Sequence, residues 1–404
     1  MLAAAGLVLA AAQSPVLVVD IDDVGSELAR EARTETLDWI AENGRVFTSF
    51  VASPVCSPSR AMFQTGAYPS HPDLLLGQVV TVDAEYEMPT GPLVPLGTLV
   101  SDAGLRTAKI GKWHLAPGSA IDHPARCGWQ RYVGVPGNVF GEGNGYTSFE
   151  KVTGGEAARV EGRYLTTDET DDAIAAVREG FDLVSVSYHA PHKPYHVPPE
   201  GLHGVEPIES FRDHARAMLE ACDRELGRLV RAALERDYVV LVFSDNGTGR
   251  LAKGQKGTML DGGIVVPMWA IGPGVAPGVD ASPVSVVDLY ATIAELLGVE
   301  TGGPTRGPHS ISFARTLAGE RGTRRFTYSE TFRGLGEDPR TSGKPWNRAL
   351  RGTRFKLEIR GKASKRKMLL FDLQADPTER TNLISAASLA RACRGLVARC
   401  GRSR

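Results

Sequence analysis

Pro15-Val16-Leu17-Val18-Val19-Asp20-Ile21 runs straight into Asp22-Asp23 and then Gly25. A short Val-rich run that ends in acids and a glycine reads as a strand buried on both faces, opening into a loop. The pattern recurs. Residues 106–110 form a second such strand leading into Gly111-Lys112-Trp113-His114, and residues 182–188 a third ending at His189-Ala190-Pro191-His192. Residues 238–243 form a fourth, opening into Ser244-Asp245-Asn246-Gly247. Between them lie stretches of helical spacing: residues 34–43, closed by Gly44; residues 96–103, stopped by Gly104; the long amphipathic run 211–235; and residues 285–297, closed by Gly298. Residues 46–51 alternate as a strand, and after a cysteine-bearing loop a helix starts within residues 59–64.

Strands alternating with helices predict an α/β fold, with a mainly parallel central sheet and helices on both faces. Polar clusters directly follow four of the strands, and the carboxyl ends of parallel strands are where such sheets hold ligands. From about Phe326 the pattern changes to short strands with polar turns, at residues 328–330, 355–359 and 368–372. The expected organisation is a catalytic α/β domain over residues 14–308 and a smaller antiparallel C-terminal subdomain over residues 309–404. The division falls near the Gly- and Pro-rich stretch 301–308.

At 404 residues the chain is long enough to bury a substantial core. Its net charge of -1 gives no basic excess for nucleic acid and no acidic solvating tail. Residues 1–13 read as the apolar core of a secretory signal, too short to span a membrane, although no Lys or Arg precedes the run. The expected location is therefore periplasmic or secreted, with the cytoplasm as the alternative, and no other segment is apolar enough for a span. The five cysteines, Cys56, Cys127, Cys222, Cys393 and Cys400, show no zinc-like spacing. With Cys56 set aside, one or two disulfides are allowed, Cys393 and Cys400 being closest in sequence.

Asp22-Asp23 puts adjacent carboxylates in one loop, where their repulsion is costly unless a cation neutralises it. A lone pair of this kind is ordinarily a helix cap. Asp245-Asn246, after another buried strand, changes the balance: three carboxylates and an amide oxygen are hard ligands suited to Ca²⁺ or Mg²⁺. Cys56-Ser57-Pro58-Ser59-Arg60, followed by Thr65-Gly66, is the other informative stretch. A cysteine taken alone is most often an inert buried thiol, and a thiol nucleophile gains nothing from a hard cation.

The stretch Cys56 to Arg60 is similar to the C-x-P-S-R signature of type I sulfatases. Gly111-Lys112-Trp113-His114-Leu115 is close to that family's G-K-W-H-L-G, with Ala116 in place of the last glycine. Lys256-Gly257-Thr258, Asp261-Gly262-Gly263 and Val266-Pro267 resemble its K-G-T-x-x-x-G-G-x-x-x-P, and Pro191-His192 its P-H-x-P. Weaker matches continue through Asp288 and Phe371-Asp372-Leu373. On their joint order the chain is identified as a member of the type I sulfatase family, within the alkaline phosphatase superfamily.

The resemblance implies oxidation of Cys56 to formylglycine by a generating enzyme, a transient partner. It assigns metal coordination to Asp22, Asp23, Asp245, Asn246 and residue 56, the metal being Ca²⁺ or alternatively Mg²⁺. Arg60 would hold the formylglycine, and Lys112 and Lys256 the sulfate oxygens. The hydrated aldehyde would attack sulfur, with Asp245 accepting its proton and His192 protonating the leaving oxygen. His114 would then take the second hydroxyl's proton, so that the aldehyde re-forms and sulfate is expelled. On this reading the substrate is a small-molecule or glycan sulfate ester. A phosphonate monoester or phosphodiester hydrolase and a noncatalytic binder of sulfated glycans are the alternatives. Specificity is expected from the loops at residues 74–90 and 136–162.

Overall fold

The computed structural model describes residues 13–140, 144–362 and 364–384. The apolar N-terminal run through residue 12, together with Cys393 and Cys400, lies outside the described residues. Eleven strands form one sheet: β1 (Val16–Ile21), β2 (Arg45–Val51), β3 (Thr107–Gly111), β4 (Arg131–Gly134), β5 (Ser148–Thr153), β6 (Glu156–Glu161), β7 (Leu183–Tyr188), β8 (Val239–Ser244), β9 (Val265–Ile271), β10 (Gly278–Asp280) and β11 (Val284–Ser285). Four more, β12 (Thr327–Phe332), β13 (Trp346–Arg351), β14 (Phe355–Lys362) and β15 (Lys365–Asp372), make a separate antiparallel meander.

The large sheet runs β10-β2-β9-β8-β1-β7-β3-β4-β5-β6, with β11 beside β2. Its middle, β8-β1-β7-β3-β4, is parallel throughout, whereas β9 and the outer β5 and β6 run antiparallel to their neighbours. Because β9 is antiparallel to both β8 and β2, β2 points the same way as the parallel strands. The loops after β1, β2, β3, β7 and β8 therefore emerge at one edge.

Burial explains the composition of these strands. Val16 and Val18 pack into one core cluster, and Leu17, Val19 and Ile21 into a second on the opposite face. On β8, Val239, Leu241 and Phe243 join the first cluster while Val240 and Val242 join the second. Each fully buried aliphatic side chain contributes roughly 1.5–3 kcal/mol relative to exposure, so both faces must be covered. The 24-residue helix Phe211–Leu234 covers the second face, starting from a Ser210–Asp213 capping box. Cys56, Cys127 and Cys222 are free and buried, so no disulfide joins the two described cysteines other than Cys56.

Residues 309–317 pack against the large body, since His309 N donates to Gly66 O at 2.9 Å and Phe313 lies in the first core cluster. The meander itself grips two segments near the strand ends. Ser329 Oγ donates to Ala52 O at 2.8 Å, and Lys356 and Arg351 each lie 2.9 Å from Asp261 carboxylate oxygens. One side of the site loops is thus held by the smaller sheet.

Candidate active site

The helix after β2 spans Cys56–Thr65, starting three residues before the expected 59–64 segment, so Cys56 stands in its first turn. Pro58 is tolerated there because the first backbone N–H groups of a helix have no partner within it. Gly66, at φ 61°, closes the helix in the left-handed conformation. Cys56 and Arg60 are four residues apart and so share one helix face. The fixed spacing of the motif is a consequence of that turn.

Arg60 reaches into a nest of acids. Its Nη1 lies 3.1 Å from Asp20 Oδ2, and its Nη2 lies 3.0 Å from Asp245 Oδ2 and 3.7 Å from Asp22 Oδ2. Burial works against the guanidinium charge, but Asp20, Asp245 and Asp22 outweigh it and raise the pKa. Asp22 sits well below the usual carboxylate range: burial pushes it up, and Lys112, His192, Lys256 and Arg60 together pull it further down. Burial raises Asp23 to about 6, partly opposed by Lys256, and raises Asp245 to about 8, with Asp22 adding to the effect.

Lys112 and His114 follow β3 and both face inward, though not through a simple extended alternation. His114 has φ 62°, a left-handed turn that brings its Nδ1 to 3.3 Å from Cys56 Sγ. Lys112 Nζ pairs with Asp22 and donates to Asn138 Oδ1 at 2.6 Å. Lys256 Nζ pairs with Asp23 and lies 3.9 Å from Asp22 Oδ1. Burial, reinforced by Lys112, holds the His114 and His192 imidazoles well below their ordinary pKa. Burial also raises the Cys56 thiol, against the pull of Lys256 and Lys112, so a free thiolate is disfavoured.

The three histidines after β7 separate by their partners. His189 is used on both sides, by Glu169 at 2.6 Å and by Gly137 O at 2.9 Å. His196 lies within 3.0 Å of Pro194 O and 3.2 Å of the Tyr164 hydroxyl. His192 donates through Nδ1 to Lys193 O at 2.8 Å, and it can place a ring nitrogen and oxygens of Asp22 and Asp23 within 4.8 Å of one another. Lys193 is exposed and stacks over Phe140 at 5.2 Å. Only His192 of this group faces the acids.

A hard cation fits the donor set. Asp22 Oδ1 and Asn246 Oδ1 are buried and receive no hydrogen bond, and the buried Asp245 Oδ2 has only the Arg60 guanidinium beside it, at 3.0 Å. Buried oxygens left in that condition are costly, and coordination by Ca²⁺ or Mg²⁺ is the way such oxygens are satisfied together. Asn246 Nδ2 donates to Asp23 Oδ1 at 2.7 Å, which turns the orphaned Asn246 Oδ1 the other way.

Every candidate from the sequence, Asp22, Asp23, Cys56, Arg60, Lys112, His114, His192, Asp245, Asn246 and Lys256, belongs to one connected cluster of such contacts. Two members were not anticipated. Asp20 carried a signal, an acid inside an otherwise apolar strand; Asn138, in a loop, carried none.

The sulfatase family model matches residues 16–299. N-acetylgalactosamine-6-sulfatase of Sus scrofa is 28% identical over 354 residues, covering 74% of this chain and 65% of that protein. Choline-sulfatase of Rhizobium meliloti (strain 1021) is 24% identical over 361 residues, with 70% and 67% covered. Arylsulfatase A of Homo sapiens is 29% identical over 341 residues, with 73% and 66% covered. The chain thus spans about two-thirds of the length of these relatives, 65% of the first. Among solved structures, the PsFucS1 sulfatase from Pseudoalteromonas sp. superposes with TM-score 0.74 at 21% identity over 96% of this chain and 90% of that one. The structure of BT4656 in complex with its substrate D-glucosamine-2-N,6-O-disulfate does so with TM-score 0.73 at 17% identity, over 96% of each chain. At these identities the superpositions establish a shared fold.

Proposed function

The chain belongs to the sulfatase family, and on that premise we propose that it hydrolyses a small-molecule or glycan sulfate ester, releasing inorganic sulfate, through a formylglycine made from Cys56. The observation that carries this reading is the meeting of Cys56, Arg60, His114 and the acids Asp22 and Asp245 at one sheet edge, with the buried Asp22 Oδ1 and Asn246 Oδ1 left without hydrogen-bond donors. A Ca²⁺ ion, with Mg²⁺ as the alternative, would be held by Asp22, Asp23, Asp245, Asn246 and residue 56. When bound it supplies Lewis-acid polarisation and lowers the pKa of a coordinated hydroxyl. Formylglycine supplies a hydrated aldehyde, an oxygen nucleophile with a second hydroxyl beside it.

The remaining work falls to this chain's side chains. Arg60 holds residue 56 in place and balances the acids around it. Lys112 and Lys256, which pair with Asp22 and Asp23 in the free site, would bind the sulfate oxygens. Asp245, beside Arg60 and in the same cluster as residue 56, is the carboxylate that would receive a proton from the nucleophile. His114, 3.3 Å from the residue-56 side chain, exchanges a proton there when sulfate is released. His192 is held neutral in the free site; a bound sulfate ester brings negative charge that favours its protonated form, from which it donates to the leaving oxygen.

The catalytic α/β domain is proposed to comprise residues 14–308 and the smaller subdomain residues 309–404, of which the strands β12 to β14 hold one side of the site loops. A periplasmic or secreted location is part of the same reading; among the described residues no helix is long and apolar enough to cross a membrane. The test is a panel of aryl sulfate, phosphate diester, phosphonate and sulfated sugars, assayed with Ca²⁺ and with chelator on protein carrying the modified residue. Turnover of sulfate esters well above the phosphorus substrates is expected. Preference for a phosphonate or phosphodiester would overturn the assignment.

A further inference from the structure

Glu169 and His189 are 2% and 1% exposed and take no part in the chemistry proposed above. His189 Nδ1 lies 2.6 Å from Glu169 Oε1, and its Nε2 lies 2.9 Å from the Gly137 carbonyl oxygen. A carboxylate and a carbonyl both accept, so a proton is needed on each side of the ring. Nε2 donates to Gly137, and one further proton lies between Nδ1 and Glu169. The pair therefore holds two protons and no net charge, whichever partner carries the shared one.

Two loops of the site meet at this pair. His192 N donates to His189 O at 2.9 Å, so His189 begins the turn that carries His192. Gly137 precedes Asn138, whose Oδ1 accepts from Lys112 Nζ at 2.6 Å and whose Nδ2 lies 3.4 Å from His114 Nε2. Trp113 N to Val135 O at 3.2 Å and His114 N to Pro136 O at 2.8 Å fix those segments side by side. Gly111, at φ 81°, gives Glu169 its room: a Cβ there would stand 3.0 Å from Glu169 Oε1 and 2.2 Å from the Ser187 carbonyl oxygen.

We infer that Glu169 and His189 form a positioning pair, which holds the His192 turn at a fixed separation from the Asn138 segment and so aligns His192 with Lys112 and His114 on one substrate. This rests on the sulfate-ester reading. Misplacing reacting groups by about 1 Å costs on the order of 10²-fold in rate, so the pair acts on kcat more than on KM.

The test compares Glu169→Ala with Glu169→Gln. A carboxamide can donate to Nδ1 while Nε2–H still donates to Gly137, so the glutamine keeps the geometry without the charge. Glu169→Ala is expected to lower kcat about tenfold or more with KM within about threefold, and Glu169→Gln to stay within about threefold of wild type. Unchanged kcat in Glu169→Ala, or an equal loss in Glu169→Gln, would overturn the inference. ¹⁵N-resolved imidazole spectra of the wild-type protein give a readout independent of turnover and of any variant's folding: Nε2 of His189 carries a proton, and an unprotonated Nε2 would contradict the pair. Inactive wild-type protein counts against the sulfate-ester reading, whereas active wild type beside an unaffected Glu169→Ala counts against the pair.

Discussion

Arg60 Nη2 stands 3.0 Å from Asp245 Oδ2 and 3.7 Å from Asp22 Oδ2, a single buried cation shared between the loops after β1 and β8. Asp20 holds the same guanidinium from below, at 3.1 Å through Nη1. Removing the guanidinium leaves Asp20 and Asp245 buried without the cation between them, while Asp22 keeps Lys112. Breaking a buried pair in this way costs about 3–5 kcal/mol. Arg60→Ala should therefore lower the midpoint of denaturant unfolding by that equivalent and abolish turnover. A variant as stable as the parent would show that Arg60 does not bridge these acids.

His192 is assigned the proton donated to the leaving oxygen, so its removal should matter in proportion to how poor the leaving group is. His192→Ala is expected to slow alkyl or sugar sulfates by about 10²–10⁴-fold. An aryl sulfate with an acidic phenol should lose far less. Equal losses on both substrate types would assign the donor role elsewhere.

Chelation should stop turnover, and added Ca²⁺ should restore it, because Asp22 Oδ1 and Asn246 Oδ1 are buried oxygens with no hydrogen-bond donor, beside the acids Asp23 and Asp245. Calorimetric titration of chelated protein with Ca²⁺ should show a saturable site that Asp245→Ala removes. Full activity in chelator would argue against a cation at these residues.

Away from the site, Asp223 accepts from Thr36 N at 2.8 Å and Leu37 N at 2.9 Å, and burial raises it to about 6 against the pull of those bonds. Its folded pKa thus exceeds its unfolded value of about 3.9. From about pH 4 to 6 the folded state holds a proton that the unfolded chain has lost, so stability falls with rising pH by about 1.4 kcal/mol per unit through this group. The contribution is fully present below the unfolded pKa and lost through the folded one. Asp223→Asn should be less steep than wild type over that range in pH-dependent denaturant unfolding; parallel profiles would contradict the shift.

The parallel core and the site loops were legible because their chemistry is local. In β1 and β8 a run of buried aliphatics stops abruptly at acids, and both features lie within ten residues. The Leu165–Arg178 helix was not anticipated, since its buried face includes Thr166, Asp168, Glu169 and Thr170, which break the apolar rhythm. The hairpin of β5 and β6 falls inside the loop expected at residues 136–162, and β6 is almost wholly exposed, so burial imposes no alternation on it. Asn138 and Glu169 were invisible for a different reason: their partners Lys112 and His189 lie 26 and 20 residues away. A sequence shows which residues carry chemistry more readily than it shows which ones hold them still.

The most direct measurement is quantitative mass spectrometry of the Cys56 peptide alongside turnover of a sulfate ester, across preparations made with and without a formylglycine-generating enzyme. The expected result is activity proportional to the fraction of residue 56 converted to the aldehyde, with Cys56→Ala at background. Full activity in protein whose Cys56 remains an unmodified thiol would contradict the mechanism.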